Sequence, residues 1–316
     1  MTVSFVMPVY NAGENLRTCL DSIVRALDFS ACGGQVEVLL VNDGSTDGSA
    51  EICDEYAARH SCLRVMHLLN GGVARARNAA LGCICGDYVG WIDADDWIDE
   101  RYLAVILAEL KRGPDILVFD YCEIPGRHVT YGRDGGDLDS AVFCHDLVRD
   151  ERQRSFLWNK VFRRELFAGV RFDESLDQLS DYAIMPRIVQ AARVVRYVPA
   201  WLYNYRICSG SITNQFDATR LRARFVIASS RLDAVSLTYR ADALSCVMYQ
   251  AFWICRQLTK RRADGCEAQE IYRQCRAFVL GNLVRGLVDK RNGLRRKVQF
   301  IVCAIGLLPW LRRVRF

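Results

Sequence analysis

The sequence predicts an α/β fold, Rossmann-like with a mostly parallel central sheet and flanking helices, followed by a helical C-terminal region. Three observations carry that prediction. Over the first 120 residues, short runs rich in Val, Ile, Leu and aromatics alternate with amphipathic stretches, the pattern of strands joined by crossover helices. Polar residues suited to chemistry stand directly after those runs, where an open parallel sheet presents its strand ends to a ligand. Beyond Phe216 the strand pattern stops, and nearly continuous helical periodicity replaces it.

The expected strands are Val3 to Val9, Val36 to Val41, Leu63 to Leu68, Tyr88 to Ile92 and Ile116 to Phe119, rich in Val, Ile, Leu and aromatics as strands covered on both faces should be. Helices are expected to begin near Glu14, Asp47, Val73 and Arg101, with Ser45, Thr46 and Asp47 offering capping oxygens to the second. From about Arg127 to Arg154 the regularity weakens, and Gly132, Gly135 and Gly136 among aspartates suggest an insertion of loops or short strands. Order returns with Trp158 to Leu166, a helix from about Leu179 to Ala192, and a strand and turn through Tyr203, Tyr205 and Gly210. The expected division is 1–215, with halves 1–120 and 121–215, and then 216–316.

A chain of 316 residues, 51% hydrophobic, is long enough to bury a sizeable core. The net charge of +5 is too small to make nucleic acid the principal partner. Its distribution is uneven: from Arg256 onward 15 Lys and Arg face 4 Asp and Glu, so the basic part is the tail. Fourteen cysteines are scattered without a Cys-x-x-Cys pair, and only four histidines accompany them, which argues against a structural zinc site. With no leader expected before the first strand, the cysteines read as small buried hydrophobes of a cytoplasmic protein.

Four loops follow the strands. Pro8-Val9-Tyr10-Asn11 lacks the Gly-x-Gly-x-x-Gly that a dinucleotide would need. Asp43 ends the second strand, where its carboxylate can accept the imide N–H of a uracil while Tyr10 offers the base an aromatic face; capping and plain packing are the alternative readings. Asp93-Ala94-Asp95-Asp96 crowds three carboxylates on one tight turn, and a divalent cation, Mn²⁺ or Mg²⁺, would relieve their repulsion; a solvated turn and helix cap is the alternative. Gly71-Gly72-Val73-Ala74-Arg75-Ala76-Arg77-Asn78 has the form of a glycine-rich turn entering a helix whose N–H groups attract phosphate. Arg75 and Arg77, two apart, cannot share one helix face, and Arg77 is the one expected to reach the nucleotide.

In this order the pieces resemble the inverting family-2 glycosyltransferases of the GT-A fold, of the bacterial surface-polysaccharide type. Val-Ser-Phe-Val-Met-Pro-Val-Tyr-Asn at 3 to 11, Val-Asn-Asp-Gly-Ser-Thr-Asp at 41 to 47, the glycine-rich run at 71 to 78 and Asp93-Ala94-Asp95-Asp96-Trp97 carry the likeness, which extends more loosely to about Thr213. The resemblance implies a nucleotide-binding half over 1–120 and an acceptor-binding half over 121–215. It implies a nucleoside-diphosphate sugar donor, most often a UDP-sugar, and a hydroxyl of a glycan or lipid-linked acceptor. Pro8, Tyr10, Asp43, Arg77 and Asp93 would bind the nucleotide, and Asp95 and Asp96 the metal. The general base falls on Asp181, preceded by Ser180 where the family usually has glutamate, with Asp177 as the substitute candidate. Trp158, Asn159 and Lys160 would line the acceptor cleft, and Arg206 the loop that closes over the diphosphate. A sugar-nucleotide nucleotidyltransferase and a non-catalytic nucleotide-binding subunit are the alternative functions.

The nearly apolar run Val298 to Leu311 is flanked by Arg295, Arg296 and Lys297 before and by Arg312, Arg313 and Arg315 after. As a helix its length is about 21 Å, short of a hydrocarbon core of roughly 30 Å. The expectation is a helix lying on an anionic membrane surface at the inner face of the cell membrane; a buried core helix is the alternative.

Overall fold

The structure, a computed structural model, describes residues 1–30, 34–132, 134–151, 153–176, 179–207, 218–263 and 265–309. Its first strands and helices alternate as β1 (Val3–Val9), α1 (Gly13–Ser30), β2 (Val36–Asp43), α2 (Ser49–Arg59), β3 (Leu63–Leu68), α3 (Val73–Leu81), β4 (Tyr88–Trp91), β5 (Trp97–Ile98), α4 (Tyr102–Leu110) and β6 (Ile116–Ile124). Next come β7 (Arg127–Val129), β8 (Gly136–Leu138), α5 (Ser140–Val148), β9 (Lys160–Arg163), α6 (Ser180–Val189) and β10 (Val195–Arg206). The five strands read from the sequence are all present, with β2 and β6 running longer. Short strands fill the insertion as expected, but α5 within it was not anticipated, because Ser140 to Val148 is too apolar on all sides to show a helical stripe.

The strands form one sheet in the order β3-β2-β1-β4-β9-β6-β10-β5, with β7 beside β6 and β8 beside β10. β1 is parallel to β2, from Val3 opposite Val36 to Val9 opposite Asn42, and parallel to β4 on its other side. β2 is in turn parallel to β3. Their carboxyl ends therefore lie along one edge, and the loops after β1, β2, β3 and β4 are neighbours. β9 enters antiparallel between β4 and β6. β10 runs parallel to β6 and its end turns antiparallel onto β5, Tyr203 opposite Ile98, which carries Arg206 back to the loop after β4.

Burial of apolar side chains between sheet and helices holds this unit together. Leu16, Cys19, Leu20 and Ile23 of α1 and Tyr102, Leu103 and Ile106 of α4 pack with Phe5, Met7, Val38 and Leu117 of the strands. Each such side chain removed from water contributes about 1.5–3 kcal/mol.

The chain separates into two compact units, one of residues 1–143 and 152–209, the other of residues 144–151 and 210–316. The second unit is helical: α7 (Ala218–Ala234), α8 (Arg240–Lys260), α9 (Cys266–Gly281), α10 (Leu283–Val288) and α11 (Leu294–Ala304). Met248, Phe252, Cys255, Ile271, Cys275, Phe300 and Cys303 form its core. Arg149, buried in this unit, donates to Asp242 at 3.1 Å, Asp289 at 3.0 Å, Glu151 at 2.9 Å and Ser245 at 3.1 Å.

The apolar run near the C-terminus is divided between two environments. α11 starts at Leu294, and Phe300, Cys303 and Ala304 are in the core of the helical unit, as the alternative reading had it. Leu294, Val298, Ile301 and Ile305 form the opposite, solvent-facing stripe. Arg296 is engaged with Glu151 and lies over the Tyr249 ring. Trp310, Leu311, Arg312, Arg313 and Arg315 lie outside the described residues. No helix among the described residues is long and apolar enough to cross a membrane.

Gly90 of β4 shows how closely the sheet is packed. A Cβ there would meet two ring carbons of Phe5 at 2.4 and 2.5 Å, and that ring is backed by Tyr102 at 5.5 Å. Gly90→Ala should destabilise the protein by about 1–3 kcal/mol in urea titration, with Phe5→Leu in the same chain recovering part of the loss.

Candidate active site

The loops at the carboxyl edge are joined to one another before any ligand is considered. Asn11, at φ 47°, accepts the Thr46 N–H at 2.8 Å through Oδ1, while the Ser45 hydroxyl accepts the Asn11 N–H at 3.1 Å. Asp47 accepts the Gly13 N–H at 3.0 Å with one oxygen and the Ser49 N–H at 3.1 Å with the other, so it ties the start of α2 to the first loop. Gly44, at φ 70°, sits against the next loop so tightly that a Cβ would lie 2.6 Å from the Asn70 nitrogen.

Tyr10 stands on this edge with its ring 54% exposed, and Pro8 is half-buried at the end of β1. Asp43 is buried, and its two oxygens accept the N–H groups of Gly71 at 3.0 Å and Gly72 at 2.8 Å. Its carboxylate thus holds the glycine turn that opens α3, a different duty from the cap on α2 that its sequence position suggested.

The three carboxylates after β4 are not equivalent. Asp96 is fully buried; Tyr203 Oη donates to one oxygen at 2.9 Å and the Arg206 N–H to the other at 2.7 Å. The same Tyr203 hydroxyl accepts the Asp93 N–H at 3.0 Å. Burial first, then the neighbouring charges of Asp93 and Asp95, pushes Asp96 up to about 8. Burial likewise pushes Asp93 up to about 6, opposed by Arg77 and reinforced by Asp95 and Asp181. Asp95 is exposed. Both oxygens of Asp96, expected to ligate a metal, face inward, and Asp95 is the carboxylate turned to solvent. Among the described residues no three His, Cys, Asp or Glu side chains form a ready metal site.

Arg77 is buried. Its guanidinium donates to the Ser180 hydroxyl at 2.9 Å, lies 3.8 Å from Asp93 Oδ1, and is covered by the rings of Trp91 and Phe172 at 5.7 and 5.5 Å. It is therefore a strut joining α3, the end of β4 and α6. Arg75, at the mouth of the glycine turn, is the exposed one of the pair. Asn78 holds the segment ahead of α6 through its side chain, donating to the Phe172 carbonyl and accepting the Phe172 N–H, each at 2.9 Å. Asp181 is half-buried in the first turn of α6, where a carboxylate is favoured by the helix dipole, and its charge acts on Asp93. Leu179, at φ 60°, precedes this turn in a backbone region that L-residues avoid, a mark of a constrained site. Asp177 and the turn Ser209-Gly210-Ser211 lie outside the described residues.

Three of the residues expected to line an acceptor cleft do other work. Trp158 is buried in an aromatic stack between Phe156, Tyr203 and Tyr205, at 4.9, 4.7 and 5.4 Å. Asn159 is fully buried and donates to the Tyr131 hydroxyl at 2.9 Å. Lys160 is fully buried too, and its ammonium donates to the carbonyls of Arg154 and Phe156 and to Asn159 Oδ1 at 2.8 to 2.9 Å. Their segment leads into β9, an interior strand, so these side chains point into the fold. Arg206 remains at the site: its Nε donates to the Asp95 carbonyl at 2.8 Å and its guanidinium lies 4.8 Å over Trp97. Sequence reasoning missed Tyr203 as a holder of the acidic loop and Ser180 as the partner of Arg77. The apolar register of β10 conceals the first, and a separation of 103 residues conceals the second.

The profile described as "Glycosyl transferase family 2" matches residues 4–175. Among curated sequences, the Bacillus subtilis (strain 168) protein described as "Putative glycosyltransferase EpsH" is 30% identical over 231 residues, 68% of this chain and 63% of that protein. Glycosyltransferase GlyA of Streptococcus pneumoniae serotype 4 is 29% identical over 243 residues, 73% of this chain and 34% of that protein. The chain thus spans between a third and just under two thirds of these relatives. The crystal structure of S. aureus TarS 1-349 in complex with UDP-GlcNAc superposes with a TM-score of 0.72 at 20% identity, over 99% of this chain and 92% of that one, a likeness of fold.

Tyr203→Phe removes one hydroxyl and leaves both the Asp96 carboxyl and the Asp93 N–H without it. We expect a loss of about 1–3 kcal/mol in equilibrium unfolding by urea. A change within a few tenths of a kcal/mol would show that this hydroxyl does not hold the loop.

Proposed function

The chain belongs to glycosyl transferase family 2, and from that premise we propose that it transfers a sugar from a nucleoside-diphosphate sugar to a hydroxyl of a glycan or lipid-linked acceptor in bacterial polysaccharide synthesis, inverting the anomeric centre. Uridine is the proposed base. The observation that carries this reading is the meeting, at one sheet edge, of an exposed Tyr10, the Asp93 and Asp95 carboxylates and an Asp181 brought from a distant helix.

In this reading Tyr10 stacks on the base beside Pro8, and Asp43 shapes the floor by fixing Gly71 and Gly72. Asp93 faces the ribose and diphosphate, with Arg77 balancing its charge from beneath. Arg75 is the cation free to approach the diphosphate from solvent. A divalent cation, Mn²⁺ or Mg²⁺, fits at Asp95 with Asp93 beside it, because a hard cation that keeps water and diphosphate oxygens in its shell needs few protein ligands. When bound it supplies positive charge to the departing nucleoside diphosphate. Asp181 takes the proton from the acceptor hydroxyl as that oxygen attacks the anomeric carbon and the bond to the diphosphate breaks. Ser180 supports the same step by anchoring Arg77, so the residue in place of the family's usual glutamate keeps a link, neutral instead of ionic, between α3 and α6.

Calorimetric titration with UDP, with and without Mn²⁺, tests the donor site. Binding is expected to require the metal and to weaken at least about tenfold, ~1.4 kcal/mol, in Asp95→Ala. Asp181→Asn should keep UDP binding and lose on the order of 10²–10⁴ in kcat. No UDP binding in either condition would sink the uridine assignment, and UDP binding without transfer to any acceptor would leave the non-catalytic subunit.

We propose further that the outward stripe of α11, with Arg295 and Lys297 beside it, rests on an anionic membrane at the inner face of the cell membrane. In this reading residues 1–215 form the transferase domain, with donor and acceptor halves, and 216–316 the membrane-facing helical region. Vesicles of phosphatidylglycerol should sediment the protein, and Leu294→Asp with Ile305→Asp should abolish that; retention by the double variant would reject the α11 face.

A further inference from the structure

The helical unit contains a cavity of about 620 Å³ that no part of the donor site touches. Arg240 and Leu244 of α8, Phe278 of α9, Asn282, and Arg285 and Val288 of α10 line it. Asp289, itself on the wall, and Asp242 beside Ala241 are already committed. Asp242 holds His145 at 2.5 Å and Arg149 at 3.1 Å, and Asp289 holds Arg149 at 3.0 Å while accepting the Arg291 N–H at 2.9 Å. Arg240 and Arg285 have no carboxylate partner among the described residues; Arg285 reaches only Asn282 Oδ1, at 3.4 Å. Two guanidiniums on one cavity, each with a fork of donors, call for more acceptor oxygens than one carboxylate offers, and phosphate supplies them.

Ser245, Asp289 and Asn292 give the wall one polar side, while Leu232, Leu244, Phe278 and Val288 form an apolar side that continues outward. Leu280, Val284 and Val288 follow one another at four-residue intervals along α9 and α10, exposed by 54%, 74% and 68%. Exposed aliphatic side chains in a row beside an unneutralised cation pair mark a surface for a ligand with one charged end and one oily end.

We propose that this cavity binds a phosphate-bearing aliphatic amphiphile, with the phosphate on Arg240 and Arg285 and the chain along Leu244, Phe278 and the Val284 and Val288 row. The ligand chemistry is shared by a membrane phospholipid and by a lipid-linked phosphate acceptor. None of the lining residues is one assigned to the donor, so the proposal stands or falls independently of the uridine reading.

The test is calorimetry on the full chain with four probes: decyl phosphate, short-chain dihexanoyl phosphatidylglycerol, decyl maltoside and inorganic phosphate. At least one of the two phosphate amphiphiles should bind roughly tenfold or more tighter than decyl maltoside and than inorganic phosphate, since charge and chain are both needed. Arg240→Gln with Arg285→Gln, both exposed positions, should weaken that binding at least about tenfold while the thermal melt and UDP binding of the same sample stay unchanged. Preference for phosphatidylglycerol supports a bilayer source, and preference for decyl phosphate a lipid-linked phosphomonoester. Equal binding of decyl maltoside, binding of inorganic phosphate as tight as that of decyl phosphate, or undiminished binding by the folded double variant overturns the proposal.

Discussion

The arrangement of the site depends on one buried carboxylate. Asp96 faces inward and is held by the last turn of β10, through the Tyr203 hydroxyl and the Arg206 N–H. Because the same hydroxyl accepts the Asp93 N–H, the loop after β4 has no freedom to swing its other two acids. Trp158, stacked on Tyr203, fixes the tyrosine in turn. A turn with three free carboxylates would repel itself; here one is sequestered, with burial pushing it up to about 8, and the remaining two are the ones to which we assign the cation and the diphosphate. The cost of burying that group is offset by two hydrogen bonds of good geometry, which makes the position intolerant of change.

Much of the fold was legible because parallel strands covered on both faces carry a plain signal: Val3 to Val9 and Val36 to Val41 have no competing interpretation as helices of useful length. The chemical edge was legible for the same reason, since residues that follow such strands must lie at their carboxyl ends. What the sequence did not reveal was the direction of each side chain. Asp95 and Asp96 are adjacent and identical in type, yet one is exposed and the other buried, a difference set by a tyrosine about a hundred residues away. Arg77, the arginine expected to reach the nucleotide, is the buried one of its pair for a related reason. An arginine between Trp91 and Phe172 gains from both ring faces, and that pocket exists only once α3, β4 and the 172 segment have come together.

The segment around Trp158, Asn159 and Lys160 shows a second limit of residue type as a guide. Aromatic, amide and ammonium groups in a row suit a sugar, but they serve equally to satisfy an irregular backbone entering an interior strand. Lys160 takes three oxygen acceptors from its own neighbourhood, which is how an ammonium comes to be stable without solvent. The C-terminal run divides in a similar way: helical periodicity gives α11 one face for the core of its unit and leaves Leu294, Val298, Ile301 and Ile305 on the other.

The knot between the first two loops bears on how such a protein could be re-engineered. Asn11, Gly13, Ser45, Thr46 and Asp47 exchange hydrogen bonds across the strand ends, so residues 10–13 and 44–49 behave mechanically as a single lip. Transplanting either loop alone from a relative would strand the other's amides. The two loops are therefore a two-piece cassette, to be exchanged together or not at all.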